Sequence, residues 1–344
     1  MLPNAQNNYQ VSGKIGGIAE ETVWLVTGEN GKQDTLNSAR VKNGFFMFEG
    51  KVDRPIAVHI VSTNRVIPFI LENANIMINA NQSGVLIQGG EQQEIFNQFS
   101  RNNMKFLQTQ DQIQQEFLQA EQAGNKKQMQ ALTTQFEMVV ADARKEEEKL
   151  LMQYADSYVA AYVVASGMYQ LELDVLKARY ALLGKNARTT APGRSVELLI
   201  EKWESLAEGN KAPDFTVSTL QGDSLTLYSI KAKLKLVHFW DASDAICRQD
   251  NVNLLKLYQH FHLKGFEIIS ISGGEDEQVW RNAINTDGMF WRNGIDYDLR
   301  VFHLYGVRTL PYTVLLDEED RIVAKNLKAK ELQKEINELL KKKK

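Results

Sequence analysis

The sequence predicts an α+β protein of several domains: an antiparallel β-sandwich at the N-terminus, a helical hairpin or bundle in the middle, and an α/β domain at the C-terminus. Three observations carry this. Residues 9–90 alternate short β-branched and aromatic runs with turn residues. Residues 91–154 place apolar side chains at helical spacing in a Gln-rich background. Beyond residue 209, strand-like runs alternate with helix-like ones. The expected division is a small β-sandwich domain over 1–90, a helical segment over 91–208 and the α/β domain over 209–344.

The strands come first. VWLVTGENGKQDTL reads as two strands around a turn at Asn30-Gly31, where both residues tolerate positive φ. VKNG then turns the chain into FFMFEGKV, followed by IAVHIVST, RVIPFILE, NIMINA and GVLIQGG. Pro68 inside RVIPFILE marks an edge strand or a bulge, because proline donates no ladder hydrogen bond. From Glu91 the spacing changes. Ile95, Phe99, Phe106, Ile113 and Phe117 recur at helical intervals, and Gly124-Asn125 breaks the run. Met129, Leu132, Phe136, Val139, Val140, Leu150 and Leu151 resume it to about Tyr154, which makes a long hairpin. ADSYVAAYVVASGMY, DVLKARYALLG and SVELLIEKWESLAEG add shorter helices. GNKAPDF, 209–215, is a linker. After it KLKLVHFW and FEIISIS read as strands, NVNLLKLYQHF and DEQVWRNAIN as helices. PYTVLLD and RIVAKN form a strand pair, and KELQKEINELL closes as a helix.

Bulk properties narrow the function. The 344 residues suffice for about two domains of ~150 residues, and 43% apolar with 24% charged residues is ordinary for a globular chain. A net charge of -3 favours neither nucleic acid nor an anionic membrane. Cys247 is the one cysteine, so the chain forms no internal disulfide and no cysteine-based metal centre. No apolar run reaches the ~18 residues of a membrane-spanning helix. The opening MLPNAQNNYQ has no charged and then apolar leader, so the expectation is a cytosolic protein or one whose signal lies outside this sequence.

Residues 209–342 resemble the thioredoxin-like domains of the TlpA/ResA type of envelope thiol–disulfide oxidoreductase, an AhpC/TSA-like group. The features fall in order: KAPDF, then VHFW, the segment ending in CRQ, GFEIISIS, and LYGVRTLPYTVLLD with Pro311 as the family's cis-proline. The β domain and helical segment resemble, more loosely, those that precede such domains in Gram-negative envelope proteins. The resemblance implies a thiolate at a helix N-terminus that attacks a substrate disulfide, and a second cysteine three residues later that resolves the mixed disulfide.

The usual pattern is FWAxWCxxCR; this chain reads FWDASDAICR, 239–248. Asp244 stands at the nucleophile, Ser243 at the usual aromatic, Cys247 at the resolving sulfur and Val252 at a frequent proline. A carboxylate performs no thiol–disulfide exchange, but aspartate is a good N-cap and its charge suits a helix start. Two-cysteine cycling within one chain is therefore excluded. Cys247 reads as a buried small hydrophobe, as a monothiol forming mixed disulfides, or as a thiol activated by His238. His260 and His262, two apart, do not share a helix face. Trp280, Phe290 and Trp291 read as core, and Gly273-Gly274 is not a nucleotide loop.

These readings predict a redox-inactive module that binds or scaffolds an envelope protein or peptide. The groove would be formed by Trp240, Ser243, Asp244, Ala245, Leu310, Pro311 and Tyr312. One alternative is a monothiol oxidoreductase or peroxidase using Cys247. Another is a structural protein working through the β and helical domains. No cofactor, metal or nucleic acid is expected, and a homodimer is a candidate assembly. The resemblance implies a periplasmic or envelope location with a lipid anchor on a segment outside this sequence; the cytoplasm is the alternative.

Overall fold

The fold is that of a computed structural model, which describes residues 8–18, 21–28, 34–274 and 276–342. The Asn30-Gly31 turn and Glu275 lie outside the described residues. The chain divides into two compact units, residues 1–200 and 201–344.

The first unit opens with eight strands: β1 (Tyr9–Ile15), β2 (Thr22–Thr27), β3 (Asp34–Arg40), β4 (Phe45–Gly50), β5 (Ile56–Val61), β6 (Val66–Leu71), β7 (Asn75–Asn81) and β8 (Gly84–Gln88). They form two four-stranded sheets, ordered β4-β1-β7-β8 and β3-β2-β5-β6. Period-two alternation builds the core between them. Ile76, Ile78 and Ala80 of β7 point inward with Val11, Phe48, Leu25, Ile60 and Phe69 from both sheets. The Asn43-Gly44 turn takes positive φ at both residues, 53° and 84°, as a tight hairpin needs. Pro68 lies on β6, at a sheet edge.

Pairing is antiparallel except between β1 and β7, which run parallel. At Gly13 a Cβ would fall 1.8 Å from the carbonyl oxygen of Ile78. Gly13→Ala must therefore spread β1 from β7. It is expected to destabilise the sandwich by at least ~1–3 kcal/mol in urea unfolding. An unchanged midpoint would refute the close approach.

Helices follow: α1 (Glu91–Gln122), α2 (Lys126–Gln153), α3 (Tyr158–Ser166), α4 (Leu173–Ala181), α5 (Lys185–Thr189) and α6 (Ala191–Ser205). Asn125 caps α2, its side chain accepting from the Gln128 amide. Ile113, Ala120 and Leu132 bind α1 to α2 with Phe117, Met129 and Phe136. The N-terminal end of α1 is tied to the sandwich by buried Gln93, whose Oε1 accepts from the Ile70 amide at 2.7 Å.

The second unit holds β9 (Thr216–Ser218), β10 (Ser224–Thr226), β11 (Leu234–Trp240), α7 (Ala245–Phe261), β12 (Phe266–Gly273), α8 (Glu277–Asp287), β13 (Arg292–Asp296), α9 (Arg300–Leu304), β14 (Tyr312–Asp317), β15 (Ile322–Lys325) and α10 (Ala329–Lys342). Its sheet is ordered β10-β9-β13-β12-β11-β14-β15. β11, β12 and β13 are parallel; β14 runs against them, and β15, antiparallel to β14, runs with them.

Helices cover both faces, so every residue of the interior strand β11 is buried. Leu234, Leu236 and Trp240 face α7, α8 and α10. Val237 and Phe239 face Phe302 and Tyr305. Lys235, between Leu234 and Leu236 in sequence, is buried and forms an ion pair with Asp320 in the β14–β15 turn.

Candidate functional site at the start of helix α7

β11 ends at Trp240, and a four-residue turn, 241–244, delivers the chain to α7. Two carboxylates shape that turn. Asp241 Oδ1 accepts from the Ser243 amide at 2.6 Å, and Asp244 Oδ1 accepts from the Cys247 amide at 2.7 Å. Asp244 is thus the N-cap of α7, with extended backbone at φ -84°. The Cys247 amide holds its carboxyl below the usual carboxylate range. Arg248, the next residue, closes the other side. Its guanidinium makes a two-pronged bond to Asp287 at 2.5 and 2.7 Å, and Asn251 donates to the same carboxylate at 2.8 Å.

Cys247 points inward. It has no exposed surface and sits in the core cluster that also holds Trp240, Ala242 and Leu254. Burial pushes its thiol up to about 12, and the nearby carboxylates of Asp244 and Asp241 oppose the thiolate further. The main-chain bond from Asp241 lowers it only partly. A helix N-terminus favours a thiolate, yet here the cap position is taken by an anion and the sulfur lies beneath it.

His238 makes no hydrogen bond to this thiol, and its Nε2 has no partner among the described residues. Its Nδ1 is 3.0 Å from Ser270 Oγ, which also accepts from Trp291 Nε1 at 2.8 Å. Burial pushes the imidazole down to about 3, so it stays neutral and takes no proton from a thiol at neutral pH. Trp240 likewise leaves the expected groove. Strand alternation turns it under α7, where it is fully buried, so it offers no surface to a ligand. The other named residues stay at the surface: Ser243 and Ala245 are exposed, and Asp244, Leu310, Pro311 and Tyr312 are half-buried. The Leu310–Pro311 bond is cis. Tyr312 pairs with Phe239 across the β11–β14 ladder, so 310–312 and the 241–244 turn share one end of the sheet.

Two features went unread in the sequence. Ile246 is 65% exposed beside the cap. The inward stripe of α7, Cys247, Leu254, Leu257 and Phe261, excludes it, and that spacing was available to find it. A cleft of about 360 Å³ also opens at the carboxyl ends of β11 and β12, lined by Asp241, Ser243, Ser272, Gly274, Asp276 and Trp280. No sequence signal joins those two loops. His260 and His262 are exposed, and the His262 ring lies tilted against Tyr258 with centroids 4.5 Å apart. Among the described residues no group of three or more His, Cys, Asp or Glu side chains is arranged to hold a metal ion. Trp280 and Trp291 are buried as expected, whereas Phe290 is 80% exposed.

A sheet with a parallel centre flanked by helices, a motif turn leading into a capped helix and a cis-proline at the neighbouring strand define a thioredoxin-like domain. Residues 209–325 match the AhpC/TSA family and residues 9–96 match a domain of unknown function, DUF4369. The C-terminal domain is an AhpC/TSA-family thioredoxin-like domain of the ResA type, preceded by a DUF4369 domain. The thiol-disulfide oxidoreductase ResA of Bacillus subtilis is 29% identical over 120 residues, 35% of this chain and 67% of its own length. ResA of Halalkalibacterium halodurans is 30% identical over 115 residues, 33% of this chain and 65% of its own length. A solved thioredoxin domain of a thiol-disulfide oxidoreductase from Bacteroides vulgatus is 34% identical, covers 39% of this chain and 98% of its own, and gives a TM-score of 0.37. Among the described residues no helix is long and apolar enough to cross a membrane.

Proposed function

We propose that this protein uses an oxidoreductase scaffold to bind a protein or peptide of the cell envelope, without thiol–disulfide exchange. One observation carries the reading. The exposed helix start that a nucleophilic thiolate would need is occupied by Asp244, and the only thiol, Cys247, is sealed beneath it and pushed up to about 12. The binding surface proposed is Ser243, Asp244, Ala245 and Ile246 on one side and Leu310, Pro311 and Tyr312 on the other. Main-chain groups at a sheet end beside an exposed apolar side chain suit an extended polypeptide. The proposed working parts are residues 1–90, 91–208 and 209–344, with binding assigned to the last. The envelope is the compartment that the family resemblance implies.

Cys247 reactivity tests this. Native alkylation between pH 6 and about 9 is expected to be at least about a hundredfold slower than for a free cysteine with its pKa near 8.5. The unaltered chain is expected to leave insulin disulfides intact. Fast alkylation below pH ~8, together with reduction of insulin that Cys247→Ser abolishes, would instead establish a monothiol enzyme.

A further inference from the structure

The geometry points to a binding site for a phosphate group in the N-terminal unit, at Lys185, Arg188 and Arg194. The inference is independent of the function proposed for the C-terminal domain. A cleft of about 510 Å³ opens there, between the end of α4 and the start of α6. The three cations line it, with Glu197 as the one acid in its wall, which leaves a formal charge of two positive.

What singles out this cluster is how the cations are held. Arg188 donates from Nε to the Leu183 carbonyl at 2.8 Å and from Nη2 to the Ala181 carbonyl at 3.0 Å. Its guanidinium carbon lies 4.8 Å from the centre of the Tyr180 ring. Arg194 donates from Nε to the Thr189 carbonyl at 3.2 Å. Carbonyl acceptors fix the direction of each fork and leave it without a carboxylate partner. Among the described residues none of the three makes an ion pair. Nη1 of Arg188, the two terminal nitrogens of Arg194 and Nζ of Lys185 therefore have donors to spare.

A ligand for this cleft must bring about two negative charges and several acceptor oxygens in a compact group. A phosphate monoester or inorganic phosphate does so, with a charge of about -1.5 to -2 near neutral pH. Its oxygens fit planar guanidinium forks, and a lysine adds a point charge. A single carboxylate would leave half the charge unmet. The phosphate has two sources: a soluble phosphate compound, or the headgroup of a phosphate-bearing lipid.

Calorimetric titration of the full chain with inorganic phosphate in ~0.15 M salt is expected to give saturable binding near 1 mM or tighter, with acetate at least about tenfold weaker. Lys185→Glu, at a side chain that makes no hydrogen bond or ion pair, should keep the melting temperature and weaken phosphate at least about tenfold. Arg194→Lys, which keeps the charge and loses the fork, should weaken it by a smaller factor. Cosedimentation with phosphatidylcholine vesicles containing phosphatidic acid separates the sources. Vesicle binding without phosphate binding, abolished by Lys185→Glu, assigns the site to lipid. The inference is overturned if neither probe binds, if acetate equals phosphate, or if Lys185→Glu binds as the unaltered chain does.

Discussion

Asp244→Cys is expected to make this chain a disulfide reductase, raising the rate of insulin-disulfide reduction at least about a hundredfold. Position 244 is partly exposed, and the amide of Cys247 lies 2.7 Å from the present side chain. A sulfur there would meet the same amide and the same helix end, which lower a thiol below its ordinary ~8.5. Its thiolate would attack a substrate disulfide, form a mixed disulfide and release one substrate sulfur as a thiol. Cys247, three residues on, would then displace the second substrate sulfur and close an intrachain disulfide, which an external dithiol reduces. Removing the Asp244 carboxylate also removes one of the two anions that add to burial in holding the Cys247 thiol up. The variant loses a good cap, so activity is read well below its melting temperature. A variant whose new thiol titrates low while insulin stays oxidised would place Cys247 out of reach, and α7 would then lack more than a sulfur.

Asp320→Asn should cost about 3–5 kcal/mol of unfolding free energy, because it strands the Lys235 ammonium in the core. Lys235 is 1% exposed on an interior strand, and among the described residues its only acceptor beside Asp320 is the Ile230 carbonyl at 3.4 Å. Asparagine suits the positive φ of 65° at this turn, so the loss reports the charge and not the backbone. The double variant Lys235→Met with Asp320→Asn should recover most of it, since an apolar side chain of similar length needs no partner. Urea unfolding of the single and double variants gives both numbers. A loss below ~1 kcal/mol in the single variant would mean that Lys235 reaches water.

The contrast between these residues also marks what the sequence allowed. Asp244 was legible as a cap, because an aspartate before an amphipathic run signals its role within four residues. Pro311 was legible from the fixed order of segments around it, and the α1–α2 hairpin from Gly124-Asn125 interrupting a long apolar stripe. Trp240 was misplaced because its neighbours were read as a motif, while its exposure is set by strand parity and by helices on both faces. His238 found Ser270 only through the parallel register of β11 with β12, and Trp291 joined them from a third segment. Lys235 and Asp320 lie 85 positions apart. The parallel pairing of β1 with β7 was equally hidden among hairpin signals. Contacts of this kind are decided by topology, which local pattern does not encode.

The burial of Cys247 has a consequence for time as well as for chemistry. An oxidoreductase with a free nucleophile captures its client in a covalent bond, and the client leaves when a second sulfur or an outside thiol cuts that bond. Here the one cysteine is under the surface, so under the proposed function no client would be trapped through it. The residence time of a client at the proposed surface would then be a plain dissociation rate, tuned by side chains such as Ile246 and indifferent to the redox poise of the surroundings.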